Sequence, residues 1–595
     1  MLQAFQKLHK IIKPQKSFLQ KFQFSERLNL KEKSSLPPSQ QVIGIDLGTA
    51  NAVVAILQDK NAPKVIENAE GIRVTPSVVS FSPDGTPFVG TPAKRAIMTN
   101  PENTIYAIKR LIGKNYDEVE EYIKTLSYQI KKSPENRPLI QANGEEYLPE
   151  QIAAVILKNQ KQTAEAYLSK SISSAVITVP AYFNEQQRDA MKESAKLAGL
   201  TPKRLLNEPV AAALAFSAGK SQNQDISKVA VYDFGGSTFD FSVLEYGQGV
   251  YEVRAFAGDL ECGGNDIDDL VTEYIIKEFE NQNPGVKISQ DKLAFQRIRE
   301  AAEKAKLELS STTQTEINLP YITADVTGPK HVIVNLTRGK FENIIRQIIN
   351  KTFQPIKQCL EEQKIEVKDF HDIIAIGGCS KIPLVQKYVE EFFQKKINRN
   401  ISPDEAIAMG ASLQGSVLEE ALNEIKVLDY VPLSIGIETR GGIYKKIVER
   451  GTPLPTKKCI ILTSSKDNQQ YINIHLYQGE RPLVKYNRWV ASNVYCFMEP
   501  TRKGWLQIKV EFDIDLLGQC KVSIREKDHM QPLEFEFIAD CGIPSYAIQE
   551  KITDFYQNQK DDKKEVEEIK KILKYFDEQY YVYKLADGED SEFNF

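Results

Sequence analysis

Apolar and polar positions along this chain follow two rhythms. Short unbroken apolar runs of strand length end in glycine turns, and they lead into other strands or into segments with helical spacing. Residues 42–45 run into Asp46-Leu47-Gly48-Thr49-Ala50-Asn51, and a second apolar run covers 52–57. The same grammar returns at 229–232, Asp233-Phe234-Gly235-Gly236-Ser237-Thr238 and 239–244. Each copy predicts a strand, an Asp-x-Gly turn and a strand, which is a β-hairpin. The apolar run 373–376 leads into Gly377-Gly378-Cys379-Ser380-Lys381, after which Ile382-Pro383 opens a helix. Between the hairpins, 175–180 reads as a buried strand. It is followed by a helix with Asn184 as cap, Gln187 at the capping-box position and Gly199 as stop. The strand ending Arg204-Leu205-Leu206-Asn207 meets Glu208-Pro209 and an alanine-rich helix.

The rhythm changes after residue 430. Short alternating runs separated by turns, such as 459–463, 471–477 and 506–514, predict a β-sandwich. From Pro544 and Ser545 the spacing becomes helical, with Ile548, Ile552 and Phe555 on one face. A polar stretch, 557–562, predicts a break. A second helix would then carry Val566, Ile569, Ile572, Leu573 and Phe576, ahead of an acidic tail at 587–595.

The turns carry the candidate chemistry. Glycines let backbone N–H groups approach an anion, threonine hydroxyls add donors, and an aspartate at a strand end suits a hydrated magnesium ion. One Asp-x-Gly turn is ordinary; two in matching contexts predict related lobes with a triphosphate between them. Composition narrows the rest. At 595 residues several domains are expected, and 42% hydrophobic with 26% charged residues is ordinary for a soluble protein. A net charge of -4 gives no reason to expect a nucleic-acid partner, and no apolar run is long enough for a transmembrane segment. Seven scattered cysteines without a CxxC pair argue against a disulfide framework or zinc site, and five histidines leave little for His-based catalysis. Residues 1–40 are lysine-rich and acid-poor, with Leu2, Phe5, Leu8, Ile11 and Ile12 at helical spacing. They predict an amphipathic organelle transit peptide.

IGIDLGTANAVVAI, AIKRLIG, ITVPAYFNEQQRDA, LNEPVAAALAF, DFGGSTFDFSVLE, REAAEKAKLELSS, GGCSKIPLVQ and NISPDEAIAMGA stand here in one order. In that order the chain resembles the seventy-kilodalton heat-shock chaperones from about Val42 to about Asp540. NLPYITADVTGPKH and ENAEGIRVTPSVVSF are similar to the bacterial and mitochondrial (DnaK-type) branch. The resemblance implies an α/β actin-like two-lobed ATPase domain at 41–423, a linker at 424–429, a β-sandwich substrate-binding domain at 430–540 and a short α-helical lid at 541–586. It also implies an ATP-dependent chaperone of the mitochondrial matrix that binds extended apolar segments of unfolded polypeptides. Its partners would be a J-domain co-chaperone and a GrpE-type nucleotide exchange factor, and its cofactors ATP/ADP, Mg2+ and K+.

Carried over residue by residue, the resemblance places Asp46 and Asp233 at the metal. Lys109, Glu208, Thr238 and Asp240 become the catalytic set. Gly48, Thr49, Ala50, Asn51, Gly235, Gly236 and Ser237 surround the phosphates. Glu303, Lys306, Ser310, Gly378, Cys379, Ser380, Lys381 and Asp404 line the adenosine pocket. Without the resemblance, Glu303 and Lys306 would read as a solvated helix face. The peptide groove maps to Ile437, Thr439, Arg440, Leu462, Ser465, Ile472 and Ile474, whose aliphatics core packing would explain equally well. Arg204, Lys426 and Asp429 would couple the domains.

This chain departs from the family pattern at several of these positions. Ala50 replaces a threonine and Ser237 a glycine. Lys426 puts a charge where a leucine normally docks, a burial that costs several kcal/mol in order of magnitude unless the ammonium stays in water. Arg440 and Ser465 alter the arch over the peptide, and the lid is short. These departures leave a second reading open, a degenerate ATP-binding relative serving as a structural or regulatory subunit. A small-molecule kinase on the same fold is disfavoured by the β-rich region.

Overall fold

The computed structural model describes residues 41–576 and 584–586 apart from short internal stretches, the longest being 219–226 and 497–506. The transit-like leader and the acidic tail therefore lie outside the described residues. The chain divides into two compact units. Residues up to 426 form the first, except Tyr182–Glu185, which group with the second; residues from 427 onward make up the remainder of the second.

Two sheets of the first unit share one arrangement, an antiparallel meander whose first strand also has a parallel neighbour. Strand β1 (Ile43–Leu47) pairs antiparallel with β2 (Asn51–Asp59), which pairs with β3 (Ala62–Val65). On its other side β1 runs parallel to β4 (Ser174–Val179), and β4 runs parallel to β5 (Thr201–Asn207). In the second sheet β6 (Ser227–Phe234) pairs antiparallel with β7 (Phe239–Gly247), and β7 with β8 (Val250–Asp259). There β6 runs parallel to β9 (Asp372–Ile376). Both Asp-x-Gly motifs therefore sit at the tip of a hairpin whose first strand also has a parallel neighbour. Strands β1 and β6 are apolar along nearly their whole length because helices cover them, and Ile43, Ile45, Val229, Ala230 and Val231 are fully buried.

Helices follow the parallel strands: α1 (Glu185–Leu197) after β4 and α2 (Glu208–Ser217) after β5. Farther along the chain come α3 (Gly264–Gln282), α4 (Lys292–Leu309), α5 (Pro383–Phe393) and α6 (Ala406–Leu418). Gly199 takes φ 72° just past α1, a conformation that glycine reaches without strain. Helix α6 packs so tightly on α2 that a Cβ at Gly410 would lie 1.8 Å from the Ala211 carbonyl oxygen. A large aromatic core, including Tyr232, Phe234, Phe239, Phe241, Phe370 and Phe393, fills the space beneath the second sheet.

Among the described residues the second unit has two sheets. The first orders its strands as β11 (Ile443–Val448), β10 (Ile435–Thr439), β13 (Tyr471–Gln478) and β14 (Arg488–Cys496). The other runs β17 (Leu533–Ile538), β16 (Gln519–Glu526), β15 (Ile508–Ile514), β12 (Thr456–Leu462) and β18 (Lys584–Ala586). Inward-facing Ile435, Ile460, Leu476, Ile508, Val510, Phe512 and Ile524 share one core, as in a β-sandwich.

Two sequence expectations are corrected here. The polar stretch 557–562 does not break the helix: α7 runs continuously over Ser545–Phe576. Gln557, Asn558, Gln559 and Lys560 are compatible with an exposed helical face, and no glycine or proline interrupts the run. The end of the expected helical lid, 584–586, is instead strand β18, paired with Cys459–Ile461 of β12.

Candidate functional site

Between the two hairpin tips of the first unit lies an open cleft. From the carried-over set, Asp46, Gly48, Thr49, Ala50, Asn51, Lys109, Glu208, Asp233, Gly235, Gly236, Thr238, Glu303, Lys306, Ser310, Gly378, Cys379 and Asp404 line it. Ser237, Asp240, Ser380 and Lys381 do not form its wall. Ser237 is buried behind it, and the Ser380 hydroxyl donates to the Gly377 carbonyl at 2.7 Å, closing that turn. Lys381 pairs with Asp404.

Local hydrogen bonds hold the turns. In the first, Ser77 donates its amide to the Ala50 carbonyl and its hydroxyl to the Gly48 carbonyl, both at 2.8 Å. In the second, the Gly235 amide donates to the Thr238 carbonyl at 3.0 Å. The start of α3 is stitched to this turn, with Gly264 N–H donating to Gly235 at 3.0 Å and Asn265 N–H to Gly236 at 2.8 Å. Gly377 takes φ 78°, and a Cβ there would lie 2.5 Å from the Phe234 carbonyl oxygen, so the third turn can pass the second only as glycine. Ser237 is not in the left-handed region, so a serine in place of glycine costs no backbone strain.

The charged groups are buried. Lys109, on the single turn Ile108–Arg110, places Nζ 2.5 Å from Glu208 Oε1. Burial works against its charge, yet Glu208, Asp46 and Asp233 together raise its pKa above the usual lysine value. Asp46 accepts from the Thr178 hydroxyl at 3.0 Å; burial pushes its pKa up to about 7, with Lys109 opposing. Burial, then the Glu208 and Asp46 charges, push Asp233 well above the carboxylate range. Glu208, Asp233 and Asp240 each bring one carboxylate oxygen within 4.8 Å of the others. This hard-oxygen donor set suits Mg2+, and Asp46 is not among the three.

At the other end of the cleft, Lys306 is buried and paired with Asp268 at 2.7 Å, and it also donates to the Gly264 carbonyl at 3.1 Å. Burial raises Asp268 to about 6 against the pull of Lys306. Glu303 holds Lys94 at 2.7 Å. Val74, Leu307, Ile382 and Ile407 give this end apolar walls suited to a flat ring. Asp268, Lys94 and these apolar residues were missed in the sequence. Asp268 sits near the first turn of a helix and carries no motif. Lys306 and Glu303 are not the solvated face that their spacing alone suggests.

Ile437, Leu462 and Ile474 belong to the sandwich core, whereas Thr439, Arg440 and Ile472 are half-buried. Tyr471, Trp489 and Val494 of β13 and β14 are more than half exposed, a feature that alternation alone did not single out. Arg204 is buried on β5. Ser465 and Asp429 lie outside the described residues, and Lys426 starts the short strand Lys426–Leu428. No helix among the described residues is long and apolar enough to cross a membrane.

Comparison with known proteins places this geometry. The family model described as Hsp70 protein matches residues 42–588. The mitochondrial heat shock 70 kDa protein of Solanum tuberosum is 47% identical over 518 residues, covering 87% of this chain and 75% of that protein. The mitochondrial heat shock 70 kDa protein of Pisum sativum is 45% identical over 517 residues, covering 87% and 76%. With the duplicated hairpins, the cleft between them and the β-sandwich all falling within the matched span, the chain belongs to the Hsp70 family.

Proposed function

We propose that the cleft of the first unit hydrolyses ATP with the triphosphate between the two Asp-x-Gly turns, and that the second unit holds the polypeptide client. As a family member, the chain is an ATP-dependent molecular chaperone and an ATPase that binds unfolded polypeptides. The two relatives named above are mitochondrial proteins, and the chain works in the same organelle. The matrix is its proposed compartment there. The comparisons offer nothing in favour of a degenerate structural subunit.

The observation that carries the site assignment is the buried Lys109–Glu208 pair beside the carboxylate trio. Backbone N–H groups and the Thr49 and Thr238 hydroxyls would face the phosphate oxygens, and Lys306 with Glu303 and Ser310 would face the nucleoside. Lys109 stays charged and dry, aimed where negative charge develops, so its effect falls on the chemical step. Glu208, Asp233 and Asp240, with Asp46 on the opposite turn, would hold Mg2+, which would neutralise charge on the phosphates. Potassium completes the proposed ion set. Helix α7 is the proposed lid, and Thr439, Arg440 and Ile472, together with the core edge at Ile437, Leu462 and Ile474, are the proposed groove. A J-domain protein and a GrpE-type exchange factor are the proposed partners.

The test is single-turnover hydrolysis by Lys109→Ala alongside nucleotide binding. Hydrolysis should fall at least a hundredfold while ATP and ADP affinities stay within about threefold. Equal losses in both would make Lys109 a ground-state binding group and overturn its assigned role.

A further inference from the structure

The two phosphate turns are not equal in hydroxyls. Aligned turn on turn by their aspartates and first glycines, Gly48-Thr49-Ala50-Asn51 faces Gly235-Gly236-Ser237-Thr238. Thr49 has a hydroxyl where the second turn has Gly236, and Ser237 has one where the first turn has Ala50. Thr238 likewise stands opposite Asn51, but it is the first two hydroxyls that meet: Thr49 Oγ1 and Ser237 Oγ are 2.6 Å apart, from residues 188 positions apart in the chain. Both side chains are buried. The turns touch beside them, since a Cβ at Gly236 would lie 3.0 Å from the Ala50 Cβ.

Ser237 is held in place by its surroundings. Its carbonyl accepts from the Arg110 guanidinium at 3.1 Å, and Arg110 also pairs with Asp266 at 3.0 Å. Gly263 packs so closely that a Cβ there would lie 2.5 Å from the Ser237 Cα. Thr49 lines the cleft; Ser237 does not. A phosphate oxygen only accepts hydrogen bonds. A Thr49 hydroxyl that donates to phosphate must therefore receive from Ser237, which fixes the direction of the chain: Ser237 O–H to Thr49 Oγ1, and Thr49 O–H to phosphate. Donors in series polarise one another, so the terminal hydrogen bond strengthens as charge grows on its acceptor.

We propose that Ser237 is a positioning residue for ATP hydrolysis, orienting and polarising the Thr49 hydroxyl from the opposite turn and so replacing a hydroxyl that Ala50 lacks. The inference rests on the proposed placement of the triphosphate between the turns. No proton changes owner permanently and no covalent bond to Ser237 forms.

The experiment is a double-mutant cycle in the full chain, read by single-turnover hydrolysis, equilibrium binding of ATP and ADP, and thermal unfolding. Ser237→Ala should slow hydrolysis by about five- to tenfold, the scale of one hydrogen bond between neutral groups, with affinities within about twofold. Thr49→Ala should slow it at least as much. The double variant should match Thr49→Ala alone, because Ser237 acts only through Thr49. Ser237→Thr should recover most of the rate, and Ser237→Gly should behave like Ser237→Ala, which guards against a folding defect in either variant. Independent, additive losses would overturn the proposal, as would wild-type hydrolysis in Ser237→Ala or equal loss of ADP affinity and rate. If Thr49→Ala and Lys109→Ala both leave hydrolysis intact, the placement of the triphosphate itself fails. If Lys109→Ala abolishes hydrolysis while Ser237→Ala is silent, only the hydroxyl relay fails.

Discussion

Removal of Arg481 should disturb the docking of α7. Arg481 projects from the turn after β13 and meets α7 with its whole guanidinium. Nε donates to Asp562 Oδ2 at 2.7 Å and Nη2 to Oδ1 at 2.6 Å, a two-pronged pair, while Nη1 reaches Asp554 at 2.9 and 3.1 Å. Its other face lies over the Tyr486 ring at 3.8 Å. The Asp562 side chain is only 3% exposed and that of Arg481 10%, so Arg481→Ala strands a buried carboxylate. Breaking a buried pair from one side costs about 3–5 kcal/mol, and the lost ring contact adds about 1 kcal/mol. Taking only about 3 kcal/mol against α7 docking, the docked-to-open ratio should fall on the order of a hundredfold. Asp554 is 43% exposed on its side chain, so Asp554→Ala should cost no more than about 1 kcal/mol. Hydrogen exchange over 545–576 gives the docking equilibrium, and release of a labelled apolar peptide gives its consequence, mostly in the off-rate. Exchange and release as slow in Arg481→Ala as in Asp554→Ala would show that the buried pair does not hold the helix.

Two further outcomes follow from geometry already described and a third from the family resemblance. Gly410→Ala must push α6 off α2, and small-to-large changes in tight packing cost about 1–3 kcal/mol; a melting midpoint for the first unit equal to wild type would refute the close approach at Ala211. Burial raises Asp268 from 3.8 to about 6, so the folded chain holds this proton more tightly than the unfolded chain, and the stability from this group is fully present below about pH 4 and lost as pH rises through about 6. Nucleotide KM should therefore rise as pH falls through about 6, where Lys306 loses its partner charge, and this limb should vanish in Asp268→Asn; an unchanged profile would remove the pair from nucleotide binding. Lys426→Leu should raise stimulation of the ATPase by peptide over wild type, and equal stimulation in the two would show that the lysine stem serves as well as a leucine.

What could be read from the sequence depended on how local the determinants are. Strand–turn–strand units announce themselves through contiguous apolar runs and glycines, so both hairpins and the third turn stood where their residues implied. Pairs that close only in three dimensions did not. Asp268 and Lys306 lie on different helices, and Thr49 and Ser237 on different sheets. The sequence marks Lys306 as a member of a charged run and says nothing of its burial. The stretch 557–562 misled for a related reason. It is polar, but helices tolerate polar residues on an outer face, and Asp562, read as part of a solvated break, is among the most buried acids because Arg481 is there to meet it. Strand β18 was invisible because three residues carry no periodicity, and only the free edge of β12 gives them a reason to extend.

That last pairing changes the mechanics of α7. The helix leaves the sandwich after β17, one border of the second sheet, and the chain comes back at β18, the opposite border. It is thus a strap buckled at both ends rather than a flap on a single hinge. Strand β18 is in register against Cys459–Ile461, so the chain beyond the helix is tied to the β12 edge. A helix released from this tether would have three residues of strand peeled away, leaving bare the edge of β12, the strand that carries Leu462.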